Sequence, residues 1–485
     1  MSIPQRGLTE EEIFSRLDAF RAKDLDWRSG RVFGYVFDPG EEIMRVGKKA
    51  YSLFLTENGL DFTAFPSLLR LENELVGMAV GHLRGNEEVV GNFTSGGTES
   101  ILLAVKTARD LAREKRPHVN KPEIILPSTA HAAFHKAAHY LDVAVVQVPV
   151  DPATFRADPG AVERAVSDET ILLVGSAPSY AHGVVDPIGE LGKIALAKDL
   201  PLHVDACMGG FLLPYLRRLG EPVPDFDFSV PGVTSISMDL HKYAYTPKGA
   251  SLVLYRNKDF RRHQIYACAR WTGYTVVNNA MQSSKSGGPM AAAWAVLNFV
   301  GDAGYLEIAR KKLEATRKII QGIEAIPDLR LMTRPDMCLV SFTSDTVNIF
   351  HLIDDMNSRG WYVQPALTYD NSEKNAHLSI SASNVAWVHA FLEDLEECVE
   401  RARNAPPGNM LSFLGDAPAF ADTGEMDDET LAGLLQAAGI RGKRLPERMA
   451  EINEALDMLP AQARERLLVA FVNDLFAPER ENPAD

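Results

Sequence analysis

The sequence predicts an α/β protein: a large domain on a mostly parallel sheet, then a smaller C-terminal α+β domain. Three observations predict it. Short apolar runs at 123–126, 143–148, 171–175, 202–204, 234–238 and 251–255 are separated by helical patterns such as 132–140, 160–166 and 187–198. Strands joined through helices need crossover connections, which make neighbours parallel and cover both faces of the sheet. A long helical stretch from Gly287 to about Ile326 then leads to a region of different rhythm, with strand-like runs at 331–342, 346–350, 361–366 and 377–381 and helices at 351–359 and 384–403. Finally, 485 residues suit one large or two medium domains.

Taken in order, 10–23 has helical spacing through Ile13, Leu17 and Phe20, 30–39 is a glycine- and aromatic-rich turn region, and 41–55 is helical. Residues 57–66 are irregular. Residues 67–83 form an amphipathic helix with Leu68, Leu71, Leu75, Met78 and Leu83 on one side. A glycine loop at 91–98 precedes a helix over 99–115. After the Ala-Pro-Pro-Gly at 405–408 the tail is acidic and alanine-rich, which predicts one or two helices and frayed ends. The domain boundaries expected are an N-terminal segment 1–66, a large domain 67–300, a small domain 301–404 and a helical tail 405–485.

Composition narrows the function. Hydrophobic residues make up 46% and charged residues 24%, the balance of a soluble globular enzyme. A net charge of −15 argues against nucleic acid as a partner. Cys207, Cys268, Cys338 and Cys398 are dispersed, which fits a reducing compartment rather than a disulfide framework or a zinc site. No signal-peptide pattern opens the chain, and no apolar run approaches the ~18 residues of a membrane span. The expected location is cytoplasmic.

The chemistry centres on 235–249, where an alternating run through Thr234, Ile236 and Met238 ends in Asp239-Leu240-His241-Lys242. A lysine at the mouth of a buried strand is either an amine nucleophile for a carbonyl, its pKa lowered by burial, or a strand-end lysine reaching water. Asp205 closes the run Leu202-His203-Val204, which puts a carboxylate in the crevice at the carboxyl end of a parallel sheet, unless it caps a helix or joins a buried ion pair. Together Lys242 and Asp205 supply what pyridoxal 5'-phosphate chemistry needs: an amine to hold the aldehyde and an acid to keep the ring nitrogen protonated. The loop Thr94-Ser95-Gly96-Gly97-Thr98-Glu99-Ser100 precedes a helix, so its backbone either binds a phosphate or is capped by Ser95 or Thr98. No GxGxxG fingerprint follows a strand, which weakens a nicotinamide or flavin reading. His131 follows a strand and could stack on a flat ring. His131, His135 and His139 share helical spacing but lack a nearby carboxylate, so no metal site is expected.

These residues resemble the group II pyridoxal-phosphate decarboxylases, of the aspartate aminotransferase fold (fold type I), and within them the sphingosine-1-phosphate lyases. The resemblance is carried by T-S-G-G-T-E-S (94–100), A-H-A-A-F (130–134), G-S-A-P-S-Y-A-H-G (175–183), H-V-D-A-C-M-G-G-F (203–211), S-I-S-M-D-L-H-K-Y (235–243), P-K-G (247–249) and S-K-S-G-G (284–288). It implies that Lys242 binds the cofactor's aldehyde, Asp205 pairs with the ring nitrogen and His131 stacks on the ring. It also implies that Ser95, Gly97, Thr98 and His241 help hold the phosphate. Ser284 and Gly287 would reach the phosphate site of a partner subunit, which implies a homodimer with shared sites and an arm-like role for 1–66. His182 and Lys248 are candidates for substrate contact, and His182 reads equally well as a core histidine.

The departures fall on the substrate side. Phe37 replaces a tyrosine of the family, Asp61 replaces a histidine near Asn58, Ser283-Ser284-Lys285 replaces G-S-R, and Leu240 replaces a threonine. Asp61 would repel a substrate phosphate unless it caps its own turn. The resemblance implies a small-molecule amine or amino-acid substrate, cleaved by a retro-aldol lyase or, alternatively, by an amino-acid decarboxylase. A non-catalytic scaffold is the third reading, opposed by the intact Lys242, Asp205 and His131.

Overall fold

A computed structural model of the chain describes residues 3–403 and 448–478. Seven strands form the main sheet: β1 (Val90–Thr94), β2 (Glu123–Pro127), β3 (Ala144–Val148), β4 (Thr170–Ser176), β5 (Leu202–Asp205), β6 (Val233–Asp239) and β7 (Ser251–Tyr255). Their order is β1-β7-β6-β5-β4-β2-β3, and only β7 runs against the rest. The expected α/β sheet is therefore present, with helices on both faces. The helix Gly97–Lys115 lays Ile101, Val105 and Ala108 on one face, against Ile124, Leu126 and Ile171. The helix Ile188–Ala197 lays Ile188 and Leu191 on the other, beside Leu202, Val204 and Ile236.

Register puts chemistry at one edge. Ser176 pairs with Asp205, Asp205 with Ser237, and Asp239 with Ser251, which in turn faces Thr94. The carboxyl ends of β1, β4, β5 and β6 thus meet, as a parallel sheet requires of its ligand crevice.

Two local expectations are corrected. Residues 91–98 are not all loop, because Val90–Thr94 is β1. Gly91 hid it: a Cβ there would sit 2.4 Å from Leu254 and 2.6 Å from the Val253 carbonyl, so β7 demands a glycine inside the strand. Residues 346–350 are not a strand. Asn348 Oδ1 accepts the N–H groups of Phe350 (3.0 Å) and His351 (3.5 Å), starting the helix Ile349–Ser358.

A short hairpin, β8 (Tyr266–Cys268) with β9 (Val276–Asn278), follows β7. The helix Gly288–Ala325 is broken at Gly301 (φ 64°, ψ 170°) and leads to an antiparallel sheet of order β10-β11-β13-β12, from β10 (Arg330–Leu331), β11 (Leu339–Thr343), β12 (Gln364–Ala366) and β13 (Asn375–Ser379). In the tail, helices Ala450–Met458 and Ala461–Leu475 are described. Asp354 accepts the Ala450 N–H at 2.8 Å, and Asp457 accepts the Thr368 N–H at 2.6 Å. The rest of the predicted tail, 404–447 and 479–485, lies outside the described residues. Among the described residues no helix is long and apolar enough to cross a membrane.

Candidate active site

The strand ends enclose a cavity of about 400 Å³, walled by Lys242, Asp239, Asp205, His131, Tyr180 and the loop 95–99. Lys242 and Asp205 therefore share one cavity. The lysine's partner is Asp239, whose Oδ2 lies 2.9 Å from Nζ. Burial opposes the charge on Lys242, but Asp239 more than offsets it, so the amine's pKa stands above the ordinary lysine value. This corrects the expected lowering by burial, which holds only for an unpaired ammonium. Burial likewise works against the charge on Asp239, yet Lys242 and His241 bring its pKa below the ordinary carboxylate value. Its second oxygen, Oδ1, is buried with no protein partner.

Asp205 is held from its own strand end. Its Oδ1 accepts the Cys207 N–H at 3.1 Å and the Ser237 hydroxyl at 3.2 Å. His131 Nδ1 accepts the Ala133 N–H at 3.1 Å, which fixes its ring at the cavity wall. His241 lines the same cavity, with Nδ1 accepting the Ala250 N–H at 3.3 Å and Nε2 3.7 Å from Asp239.

The start of the helix Gly97–Lys115 has no side-chain cap, so neither Ser95 nor Thr98 closes it. Ser95 instead gives its N–H and hydroxyl to Glu99 Oε2, at 2.6 and 2.7 Å, and Glu99 Oε1 accepts the Met281 N–H at 2.7 Å. The first-turn N–H groups are thereby left for an anion. Gly97 is required here: a Cβ would lie 2.7 Å from Cys207 Sγ and 2.9 Å from Asp239.

The expected substrate contacts lie outside the cavity lining. His182 packs in parallel on Phe155, with centroids 3.9 Å apart, and its Nε2 meets Ser372 Oγ at 3.0 Å. Burial lowers its pKa to about 4, so the structure favours the core-histidine reading. Asp61 caps its own turn, taking the Thr63 hydroxyl at 2.6 Å and N–H at 2.8 Å. Its carboxylate is thus occupied locally and does not enter the cavity. Asn58 meets Ser284 at 3.4 Å, where 57–59 pairs with 285–287, and Gly287 packs on Leu68, all away from the cavity of the same chain. Phe37 sits edge-on to Tyr243 (4.9 Å), and the Lys248 ammonium lies 5.2 Å from the Phe37 ring. Lys248 is solvent-exposed as a residue, yet protein crowds its ammonium; this crowding and the nearby Lys242 lower its pKa to about 8.

Sequence reasoning missed Asp239, Tyr180, Ser176 and Cys207 as cavity residues. Asp239 stood in plain view three positions before Lys242, and the alternation of β6 puts it on the same face as Ser235 and Ser237.

The residues present fit pyridoxal 5'-phosphate. The uncapped helix start and Gly97 would cradle its phosphate, Lys242 faces the same space, and the cavity is edged by two buried polar atoms with no protein partner, Asp239 Oδ1 and Ser176 Oγ.

Comparison with known proteins agrees. A family model of the pyridoxal-dependent decarboxylase conserved domain matches residues 3–345, and one of a C-terminal putative HTH domain of pyridoxal-dependent enzymes matches 411–474. The chain is 42% identical over 434 residues to the sphingosine-1-phosphate lyase of Oryza sativa subsp. japonica, covering 88% of this chain and 78% of the relative. The solved sphingosine-1-phosphate lyase of Burkholderia pseudomallei K96243 superposes with a TM-score of 0.80 at 37% identity, over 86% of this chain and 98% of that one. Lactobacillus brevis glutamate decarboxylase, at 20% identity and a TM-score of 0.73 over 84% and 97% of the two chains, shares the fold. The chain belongs to the pyridoxal-dependent decarboxylase family, in its sphingosine-1-phosphate lyase branch, and is a pyridoxal-phosphate-dependent lyase.

Proposed function

We propose that the enzyme cleaves a phosphorylated long-chain β-hydroxy amine into a long-chain aldehyde and a phosphorylated amine. One observation carries the reading: Lys242, Asp239, Asp205 and an uncapped helix start wall the same cavity in a chain 42% identical to a sphingosine-1-phosphate lyase.

In this reading Lys242 holds the cofactor aldehyde, Asp205 faces its ring nitrogen and His131 covers its ring. The N–H groups at Gly97 and Thr98, with His241, hold its phosphate, and Ser95 braces the loop through Glu99. Bound there, the cofactor supplies a sink for the electron pair left when a bond to the substrate's Cα breaks. Asp239 keeps Lys242 Nζ protonated whenever the amine is free, which gives the site a proton donor for that carbon. Lys248, whose ammonium is steadied on the face of Phe37, would meet the substrate's phosphate. Phe37 has no hydroxyl to offer, so its part is to position Lys248.

The working form is a homodimer with shared sites. The helix Glu10–Arg21 buries none of its residues, and Ile13, Phe14, Leu17 and Phe20 stay exposed along it. Such a stripe suits a second copy of the chain. The same arrangement would carry Asn58, Asp61, Ser284 and Gly287 to the neighbour's cavity, with 1–66 as the arm.

Incubation of the loaded enzyme with sphingosine 1-phosphate, followed by mass spectrometry, should give a long-chain aldehyde and phosphoethanolamine in equal amounts. Carbon dioxide from an amino-acid panel with no aldehyde from any β-hydroxy amine would overturn the reading in favour of a decarboxylase.

A further inference from the structure

A central strand of a parallel sheet, covered on both faces, is ordinarily apolar throughout. Strand β6 breaks that rule. Its sequence Val-Thr-Ser-Ile-Ser-Met-Asp places Ser235, Ser237 and Asp239 on one face, all buried. Its neighbour β5 places His203 and Asp205 on the same face, and register sets Ser235 opposite His203 and Ser237 opposite Asp205. Desolvating these groups costs free energy unless each finds a partner, and each does. His203 Nδ1 lies 2.8 Å from Ser235 Oγ, His203 Nε2 lies 3.2 Å from Ser237 Oγ, and the Ser237 hydroxyl donates to Asp205 Oδ1 at 3.2 Å. Cys207 adds its S–H to Ser237 Oγ at 3.3 Å.

Proton counting makes this row directional. An ionised Asp205 only accepts, so the one Ser237 proton points to it. Ser237 Oγ must then accept from His203, which puts the imidazole proton on Nε2. The bare Nδ1 accepts from the Ser235 hydroxyl. Burial lowers the His203 pKa to about 4, so the ring is neutral at ordinary pH, and its edge packs near Phe134, with centroids 5.9 Å apart.

We propose that Ser237 is a positioning residue for the cofactor-binding carboxylate, with His203 and Ser235 locking the direction in which its hydroxyl points. The row supplies Asp205 with a fixed donor on the protein side and leaves the cavity side of the carboxylate for the cofactor's ring nitrogen. This rests on the reading of Asp205 as the ring partner.

Two measurements test it. In the cofactor-free wild-type chain, nitrogen-15 NMR of His203 at pH 7 should find the proton on Nε2. A proton on Nδ1, or an imidazolium, overturns the proposal without any variant having to fold. In titrations of cofactor-free protein with pyridoxal 5'-phosphate, Ser237→Ala and His203→Leu should each weaken binding about tenfold, the loss of one charged-acceptor hydrogen bond. His203→Gln, which keeps a donor near the Nε2 position, should stay within about threefold of wild type. Lower melting temperature with unchanged cofactor affinity in all three variants would show a merely structural role and overturn the proposal. Asp205→Asn separates the two layers. If it binds the cofactor as tightly as wild type, the reading of Asp205 fails; if it binds weakly while Ser237→Ala binds normally, only the positioning role fails.

Discussion

Two lysines shielded by this protein, Lys242 half-buried at the cavity wall and Lys312 fully buried, meet opposite fates. Lys242 ends β6 with a carboxylate 2.9 Å away. Lys312, in the middle of the helix Gly288–Ala325, has no hydrogen-bond partner and lies on aromatic faces, 4.0 Å from the Tyr243 ring and 5.3 Å from that of Tyr245. Burial works against the charge on both. At Lys242, Asp239 reverses the effect and the amine holds its proton more tightly than usual. At Lys312, burial wins and the pKa falls to about 8. The rings, attractive as they are to a cation, do not replace a carboxylate. The contrast separates a lysine whose proton a carboxylate holds from one that packs.

The comparison can be broken most sharply at Lys242. Lys242→Ala should lose the visible absorbance of lysine-bound cofactor and slow turnover by roughly 10⁴-fold or more; normal turnover by that variant would end the mechanism. Next comes its partner. Asp239→Asn leaves the ammonium half-buried at the cavity wall without its carboxylate and should destabilise the cofactor-free chain by about 1–3 kcal/mol, read by chemical denaturation.

Lys312 sharpens the comparison through pH. Its folded pKa of about 8 lies below the ordinary 10.5. Between those values the unfolded chain binds the proton and the folded one does not, so stability should rise with pH by about 3 kcal/mol across that window and be flat in this respect below it. Lys312→Met should remove the rise, which denaturation at pH 7 and pH 10 would register. The smallest effect is expected at Lys248, outside the cavity lining. Lys248→Met should raise KM for a phosphorylated substrate about tenfold with little change in kcat; a fall in kcat instead would place Lys248 in the bond-breaking step.

Much of this was legible in the sequence because it is local. The runs that became β2 to β7 carried their own periodicity, and Lys242, Asp205, His131 and the 94–100 loop could be placed at strand or helix ends. One miss depended on a distant partner. Gly91 looks like a loop residue until β7, some 160 positions later, is laid against it. Lys242 was expected to lose proton affinity because strand alternation would put Asp239 and Lys242 on opposite faces; the turn that follows β6 brings them to 2.9 Å instead. Asp61 was open between repelling a phosphate and capping its own turn, and the Thr63 hydroxyl and N–H, two residues on, show the cap. At 346–350, the β-branched Thr346 and Val347 outweighed the capping Asn348.

The pairing of 57–59 with 285–287 has a consequence of its own. Gly59 donates to the Lys285 carbonyl at 2.8 Å and Gly287 to the Glu57 carbonyl at 2.9 Å. Two ribbons more than two hundred positions apart are thereby sewn into one tab, so neither can swing without dragging the other. Whatever such a tab presents to an adjoining molecule arrives as a preassembled set.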